Sequence, residues 1–136
     1  MARVYLDSCI VIYLIEGPES LSRQIQSALR STEGEPPLVF FSDLTRLECR
    51  VGPLRKDDSS LLRRFDDFFA SQDLQKLALE GPVFDLATEL RASHVAKTPD
   101  ALHLAAAMTG GCTEFWTNDG RLRAPAGNQI AIRIFS

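Results

Sequence analysis

The chain has 136 residues, of which 45% are hydrophobic and 24% charged, with a formal net charge of −3. That length suits one compact domain over residues 1–136, with the composition of an ordinary soluble globular protein. No run approaches the roughly 18 apolar residues of a membrane span, and Met1-Ala2-Arg3 enters Val4-Tyr5-Leu6 without the apolar stretch of an export signal.

In chain order, Val4–Leu6 is a short apolar run ending at Asp7, the pattern of a strand buried on both faces. Residues 9–15 are apolar and predict a helix. Pro18 opens a second, with Leu21, Ile25, Ala28 and Leu29 at helical spacing, closed by Gly34 and Pro36-Pro37. Leu38–Phe41 predicts a second strand. Ser42 or Asp43 caps a helix carrying Leu44, Leu47 and Val51, and Gly52-Pro53 is expected to stop it. After a charged turn over Leu54–Ser60, Leu61, Leu62, Phe65, Phe68 and Phe69 mark another helix. Leu74, Leu77 and Leu79 suggest a short strand, and Gly81-Pro82 starts a helix that ends near Val95. Thr98, as cap, and Pro99 open a further helix reaching Gly110-Gly111. Thr113–Thr117 and Ile130–Ile134 read as the last strands. Apolar strands separated by helices predict an α/β fold, a parallel sheet flanked by helices on both faces. There is no repeat, linker or low-complexity tract.

Functional residues of such sheets gather at the carboxyl ends of the strands. Four acids meet that test. Asp7 follows the first strand, Glu48 lies in the helix leaving the second, Asp100 lies in the first turn of its helix, and Asp119 follows Thr113–Thr117. Each has an ordinary reading alone: a helix cap, a surface residue paired with Arg46 or Arg50, a first-turn acid, a turn residue. Together they repel, and that costs stability unless cations occupy the site. Hard oxygen donors suit Mg²⁺ or Mn²⁺, ions that bind substrate phosphates and activate water. The reaction class that follows is hydrolysis of a phosphate ester. With these four carboxylates set aside, acidic and basic residues nearly balance, so the net charge does not exclude RNA.

The residues also resemble a known family. Val4-Tyr5-Leu6-Asp7-Ser8, Ser42-Asp43-Leu44-Thr45-Arg46-Leu47-Glu48, Thr98-Pro99-Asp100-Ala101-Leu102-His103-Leu104-Ala105 and Phe115-Trp116-Thr117-Asn118-Asp119 stand in the order of a PIN domain. Within that family they are similar to VapC-type toxins of toxin–antitoxin pairs. The third piece is the most specific. The resemblance implies a PIN-like fold with a five-stranded parallel sheet, Mg²⁺ or Mn²⁺ in the acidic pocket, and endonucleolytic cleavage of RNA. It also implies a cognate antitoxin, a toxin homodimer, and Asp7, Glu48, Asp100 and Asp119 as the catalytic metal-binding acids, with Asp7 and Asp100 the firmest ligands and Glu48 and Asp119 ligating directly or through water. Ser8 and Thr117 would orient ligands or waters, and Asn118 would position the same loop.

His103 lies one turn beyond Asp100, and a structural role is favoured over a general acid. Arg46, Arg50, Arg91 and Lys97 are candidates for phosphate contacts, with solvated surface charge as the default. Ile10–Leu14 and Phe65–Phe69 are candidates for dimer or antitoxin contacts, with core packing as the default. Cys9, Cys49 and Cys112 form no CxxC pair and read as buried free thiols in a reducing cytoplasm.

Three other enzyme or binding folds fit less well. A haloacid-dehalogenase-like phosphatase needs a second aspartate where Cys9 stands. A dinucleotide binder needs glycines where Asp7-Ser8-Cys9 stands. A receiver domain needs adjacent acids and a late lysine. The non-enzyme alternative is a PIN-like RNA-binding or interaction module without nuclease activity, which has no reason to hold four repelling carboxylates.

Overall fold

The computed structural model describes residues 1–30 and 34–136. Its elements run β1 (Arg3–Leu6), α1 (Ser8–Glu16), α2 (Glu19–Leu29), β2 (Leu38–Ser42), α3 (Asp43–Arg55), α4 (Ser59–Phe69) and β3 (Leu74–Leu77). They continue as α5 (Gly81–Ser93), α6 (Thr98–Thr109), β4 (Glu114–Thr117), a 3-10 turn over Gly120–Leu122, α7 (Arg123–Ala126) and β5 (Ala131–Ile134). The five strands form one parallel sheet in the order β3-β2-β1-β4-β5, as the resemblance implies.

β1 is central because it has no polar side to offer solvent: Val4, Tyr5 and Leu6 are all fully buried. Its alternating side chains divide the core in two. Val4 and Leu6, with Val39, Phe41 and Trp116, face a layer built on Ile10 and Val11 of α1, Ile25 of α2, Cys49 of α3, and Phe65 and Phe69 of α4. Tyr5, with Phe40 and Phe115, faces the second layer, where α5 contributes Val83, Ala87 and Leu90, and α6 contributes Leu104 and several alanines. Ile10 and Val11, like Phe65 and Phe69, are therefore core residues, the default reading of both segments. Among the described residues no helix is long and apolar enough to cross a membrane.

Two connections place the site. The chain goes from β1 outward to β2 and β3, then returns to β4 on the other side of β1, so a crevice opens at the carboxyl end of β1. At the opposite end, Arg3 donates from Nε to the Gly111 carbonyl at 3.0 Å and from Nη2 to the Gly110 carbonyl at 2.9 Å. A guanidinium thus closes the carboxyl end of α6, where free carbonyls and the helix dipole favour a cation. With that end tied to the start of β1, the first turns of α6 lie over the crevice.

Three details differ from the sequence reading. α3 does not stop at Gly52-Pro53 but runs to Arg55 with Pro53 buried inside it. A proline fixes a helical φ and here forfeits only the bond to the Cys49 carbonyl, while Lys56 N–H still reaches the Gly52 carbonyl. Lys97, not Thr98, caps α6, because its carbonyl accepts the first helical bond, from Ala101 N–H at 2.9 Å. Proline is tolerated throughout a first turn, so Pro99 did not fix which residue precedes it. The sequence carries no sign of the 3-10 turn or of α7, because three and four residues are too few to show a period.

Candidate functional site

Asp7 stands where β1 ends and α1 begins. Its backbone N–H reaches the Trp116 carbonyl at 3.0 Å, continuing the sheet by one rung. As the N-cap of α1 it accepts from Ser8 N–H on Oδ1 at 2.8 Å, while Oδ2 accepts from Thr117 Oγ1 at 2.7 Å. Both oxygens are thereby fixed, and the residue is only 8% exposed. Thr117 sits at the end of β4, on the same face of the sheet as Asp7 by strand alternation, and is fully buried.

Glu48 projects from α3 toward the same point. One carboxylate oxygen of Asp7, one of Glu48 and one nitrogen of His103 all lie within 4.8 Å of one another. Half-burial of Glu48 works against its charge. The hydrogen bond and charge of His103, with help from the Ser8 hydroxyl, outweigh that and hold its carboxyl below the ordinary glutamate range. Asp100, in the first turn of α6, shows the opposite balance. Desolvation raises its pKa, and the charges of Asp7 and Asp119 raise it further. Asp100 thus lies in the field of Asp7, Asp119 and Glu48.

Asp119 is placed differently. Its carboxylate caps the 3-10 turn and is gripped by the Arg121 guanidinium, with Nε at 2.9 Å from Oδ1 and Nη2 at 2.8 Å from Oδ2. That pairing lowers its pKa; like Asp100, Asp119 lies outside the Asp7–Glu48–His103 group, and its charge acts on Asp100. Its backbone N–H still donates to Thr117 Oγ1 at 3.2 Å, which ties the loop to the Asp7 support. Asn118 donates to the Tyr13 hydroxyl at 3.0 Å.

The basic candidates divide. Arg46 and Arg50 pair with Asp66, at 3.7 and 2.8 Å, and not with Glu48. Arg91 donates to the Ala96 carbonyl at 3.1 Å. Arg91, Lys97 and Arg121 share with Asp100 and Asp119 the rim of a shallow cavity of about 210 Å³. The three cysteines are free thiols, and burial raises all of them. Cys9, with Asp7 nearby, is pushed up to about 12.

The sequence reading missed the polar support behind Glu48. Tyr5, Ser42, Thr45 and His103 are all buried and joined by hydrogen bonds on the Asp7 side of the sheet. One signal was available: Tyr5 and Asp7 are two residues apart in a strand and so share a face.

The donor set is chemically consistent. Carboxylates brought close together, with Asp7 and Glu48 held by hydrogen bonds and the pKa of Asp100 raised by desolvation and its neighbours' charges, suit a hard divalent cation. Ordinary surface acids have neither the support nor the crowding.

A family model described as PIN domain matches residues 4–128. The fold is similar to that of VapBC2 from Rickettsia felis bound to a DNA fragment from its promoter, at 14% identity over 98% of each chain, with a TM-score of 0.74. It is similar to a toxin–antitoxin complex from Klebsiella pneumoniae, at 22% identity over 96% of this chain and 95% of that one, with a TM-score of 0.68. It is also similar to VapC20 from Mycobacterium tuberculosis, a sarcin-ricin loop cleaving toxin, at 17% identity over 91% and 95%, with a TM-score of 0.74. No curated protein sequence matches the chain.

Proposed function

The chain belongs to the PIN domain family, and from that premise we propose that it is a metal-dependent endoribonuclease, the toxin of a VapBC-type toxin–antitoxin module. The observation that carries the proposal is the meeting of Asp7 and Glu48 at the carboxyl end of β1, with ligand oxygens within 4.8 Å of each other, beside Asp100, whose pKa is raised by desolvation and by the charges of Asp7, Asp119 and Glu48. Asp7, Glu48 and Asp100 would hold Mg²⁺ or Mn²⁺. A divalent cation there supplies Lewis acidity toward a phosphodiester and lowers the pKa of a water.

The chain's own residues do the positioning. Ser8 N–H and the Thr117 hydroxyl fix the two oxygens of Asp7, so neither needs to reorganise when charge develops nearby. Asp119, held by Arg121, would act at the edge of the site, through water or after release from the guanidinium. Arg121 and Lys97, on the same rim, supply positive charge where an RNA backbone would pass.

RNA is favoured as substrate by the family and by the likeness to a toxin that cleaves the sarcin-ricin loop. The likeness to toxin–antitoxin complexes supports an antitoxin partner; the homodimeric toxin and the cytoplasmic place of action are part of the same proposal and rest on the family resemblance. The test is a labelled single-stranded RNA, incubated with wild type and Asp7→Asn in Mn²⁺. Wild type should cut it and the variant should lose at least a hundredfold in rate. Equal rates would overturn the assignment of Asp7.

A further inference from the structure

His103 is 1% exposed and has a polar partner at each end of its ring. Nδ1 lies 2.7 Å from the Tyr5 hydroxyl, while Nε2 lies 2.5 Å from Glu48 Oε1 and 3.8 Å from Asp7 Oδ1. The Tyr5 hydroxyl also lies 2.8 Å from Ser42 Oγ and 3.2 Å from Thr45 Oγ1, and Thr45 Oγ1 accepts from Ser42 N–H. Among the described residues, no buried side-chain nitrogen or oxygen lacks a partner.

The chemistry of the two ends orients the chain of bonds. An ionised carboxylate only accepts, so Nε2 must carry a hydrogen to meet Glu48 at this distance. In the neutral ring Nδ1 is then bare and takes the Tyr5 hydrogen, and the phenol oxygen accepts from the hydroxyls of Ser42 and Thr45. In the charged ring Nδ1 donates to the phenol, whose hydrogen turns to Ser42 or Thr45. Nε2 donates to Glu48 in both cases. A nitrogen that carries a hydrogen has no lone pair for a cation, although His103 sits within ligand distance of the cluster.

We propose that His103 is a positioning residue: its Nε2–H holds Oε1 of Glu48 and leaves the other carboxylate oxygen for the cation, with Tyr5 fixing the ring from behind. The proposal rests on the cation site proposed above. It goes beyond the four acids by assigning the buried Tyr5–His103 pair to the geometry of one ligand, as supporting hydrogen bonds do in metal sites generally. It also gives Ser42 and Thr45, at the start of α3, a second role in supplying the hydroxyls that complete the chain.

The test uses two amides that mimic opposite ends of the imidazole. In His103→Gln the amide nitrogen falls near the place of Nε2, and in His103→Asn near that of Nδ1. Mn²⁺ binding is followed by the electron paramagnetic resonance of free Mn²⁺, well below the unfolding temperature, with circular dichroism reporting the folded fraction. His103→Gln should bind within about threefold of wild type, and His103→Asn roughly 10–100-fold more weakly. Equal weakening of both would mean a packing role or direct ligation, and wild-type binding by both would mean no role; either overturns the proposal. If wild type itself binds no Mn²⁺, the cation site falls too, whereas binding by wild type with His103→Asn unchanged sinks this inference alone. A second measurement avoids any folding defect. In ¹⁵N-histidine-labelled wild type, the His103 Nε2 resonance should keep its attached proton on titration with Mg²⁺. Loss of that proton as Mg²⁺ binds would identify a ligand and refute the assignment.

Discussion

Replacing Asp7 by asparagine removes one negative charge from the crevice while preserving most of its hydrogen bonds. Ligand oxygens of Asp7 and Glu48 lie within 4.8 Å of each other. Two full charges at that separation, in an effective dielectric of about 20, repel by about 3 kcal/mol, part of which the His103 Nε2–H, 3.8 Å from Asp7 Oδ1, offsets. Against that gain, the Thr117 hydroxyl loses a charge-assisted bond and must accept from the new amide, a change worth about 1 kcal/mol. Asparagine remains a good N-cap for α1 through Ser8 N–H. The cation-free variant should therefore be more stable than wild type by about 1–2 kcal/mol, a rise in Tm of about 3–8 °C for a chain of this length. Saturating Mn²⁺ reverses the order. At a hundredfold excess over Kd, wild type gains about 2.7 kcal/mol, and the variant, lacking a ligand, gains little. Thermal unfolding by circular dichroism, in chelator and in Mn²⁺, should show the two curves exchanging places. A variant less stable than wild type in chelator would mean that the carboxylates do not repel as the geometry requires. An equal Mn²⁺ shift in both would mean that the ion binds elsewhere.

Other outcomes follow from the same geometry. Asp100 has a raised pKa, so the folded state holds its proton to higher pH than the unfolded chain. Stability without cation should therefore fall as pH rises from about 4 through the raised value, and the Tm of Asp100→Asn relative to wild type should climb over that window; a flat difference would argue against shared charge. Glu48 has the opposite sign: its depressed pKa contributes stability present above about pH 4.3 and lost as pH falls through the folded value. Glu48→Gln should narrow the acid-side loss in an acid titration followed by circular dichroism. Tyr5→Phe strips the phenol from His103, Ser42 and Thr45 and should cost about 1–3 kcal/mol in urea unfolding, with Mn²⁺ affinity reduced as well. Unchanged stability would show those groups satisfied without it. Burial raises the thiols, Cys9 to about 12 and Cys112 to about 11, so a thiol reagent at pH 8 should label the native protein slowly and all three cysteines once it is unfolded. Rapid native labelling would place a thiol at the surface.

The acids at the strand ends were legible in the sequence because apolar runs such as Val4–Leu6 cannot carry a charge, so Asp7 had to stand where the strand stopped. The parallel sheet was legible for the same reason. Local pairs were legible in principle: Arg121 is two residues from Asp119 and grips its carboxylate. What the sequence concealed was long-range. His103 meets Glu48 across 55 positions and Tyr5 across 98, and neither contact leaves a periodic trace. Tyr5 reads as one more apolar strand residue until its hydroxyl is seen among Ser42, Thr45 and His103. Gly52-Pro53 reads as a stop because a proline costs a helix the bond to the carbonyl four residues back, yet here Pro53 is buried within α3, which continues to Arg55.

The most direct test of the central claim is RNA cleavage by the purified chain and by Asp100→Ala, prepared identically, with Mn²⁺ alone and with excess chelator, the new ends being mapped. Wild type should cut at discrete sites in Mn²⁺ and stop in chelator, and Asp100→Ala should leave the RNA intact in both. Cleavage by the two proteins at equal rates and at the same sites, or cutting that persists in chelator, would contradict a cation held by Asp7, Glu48 and Asp100.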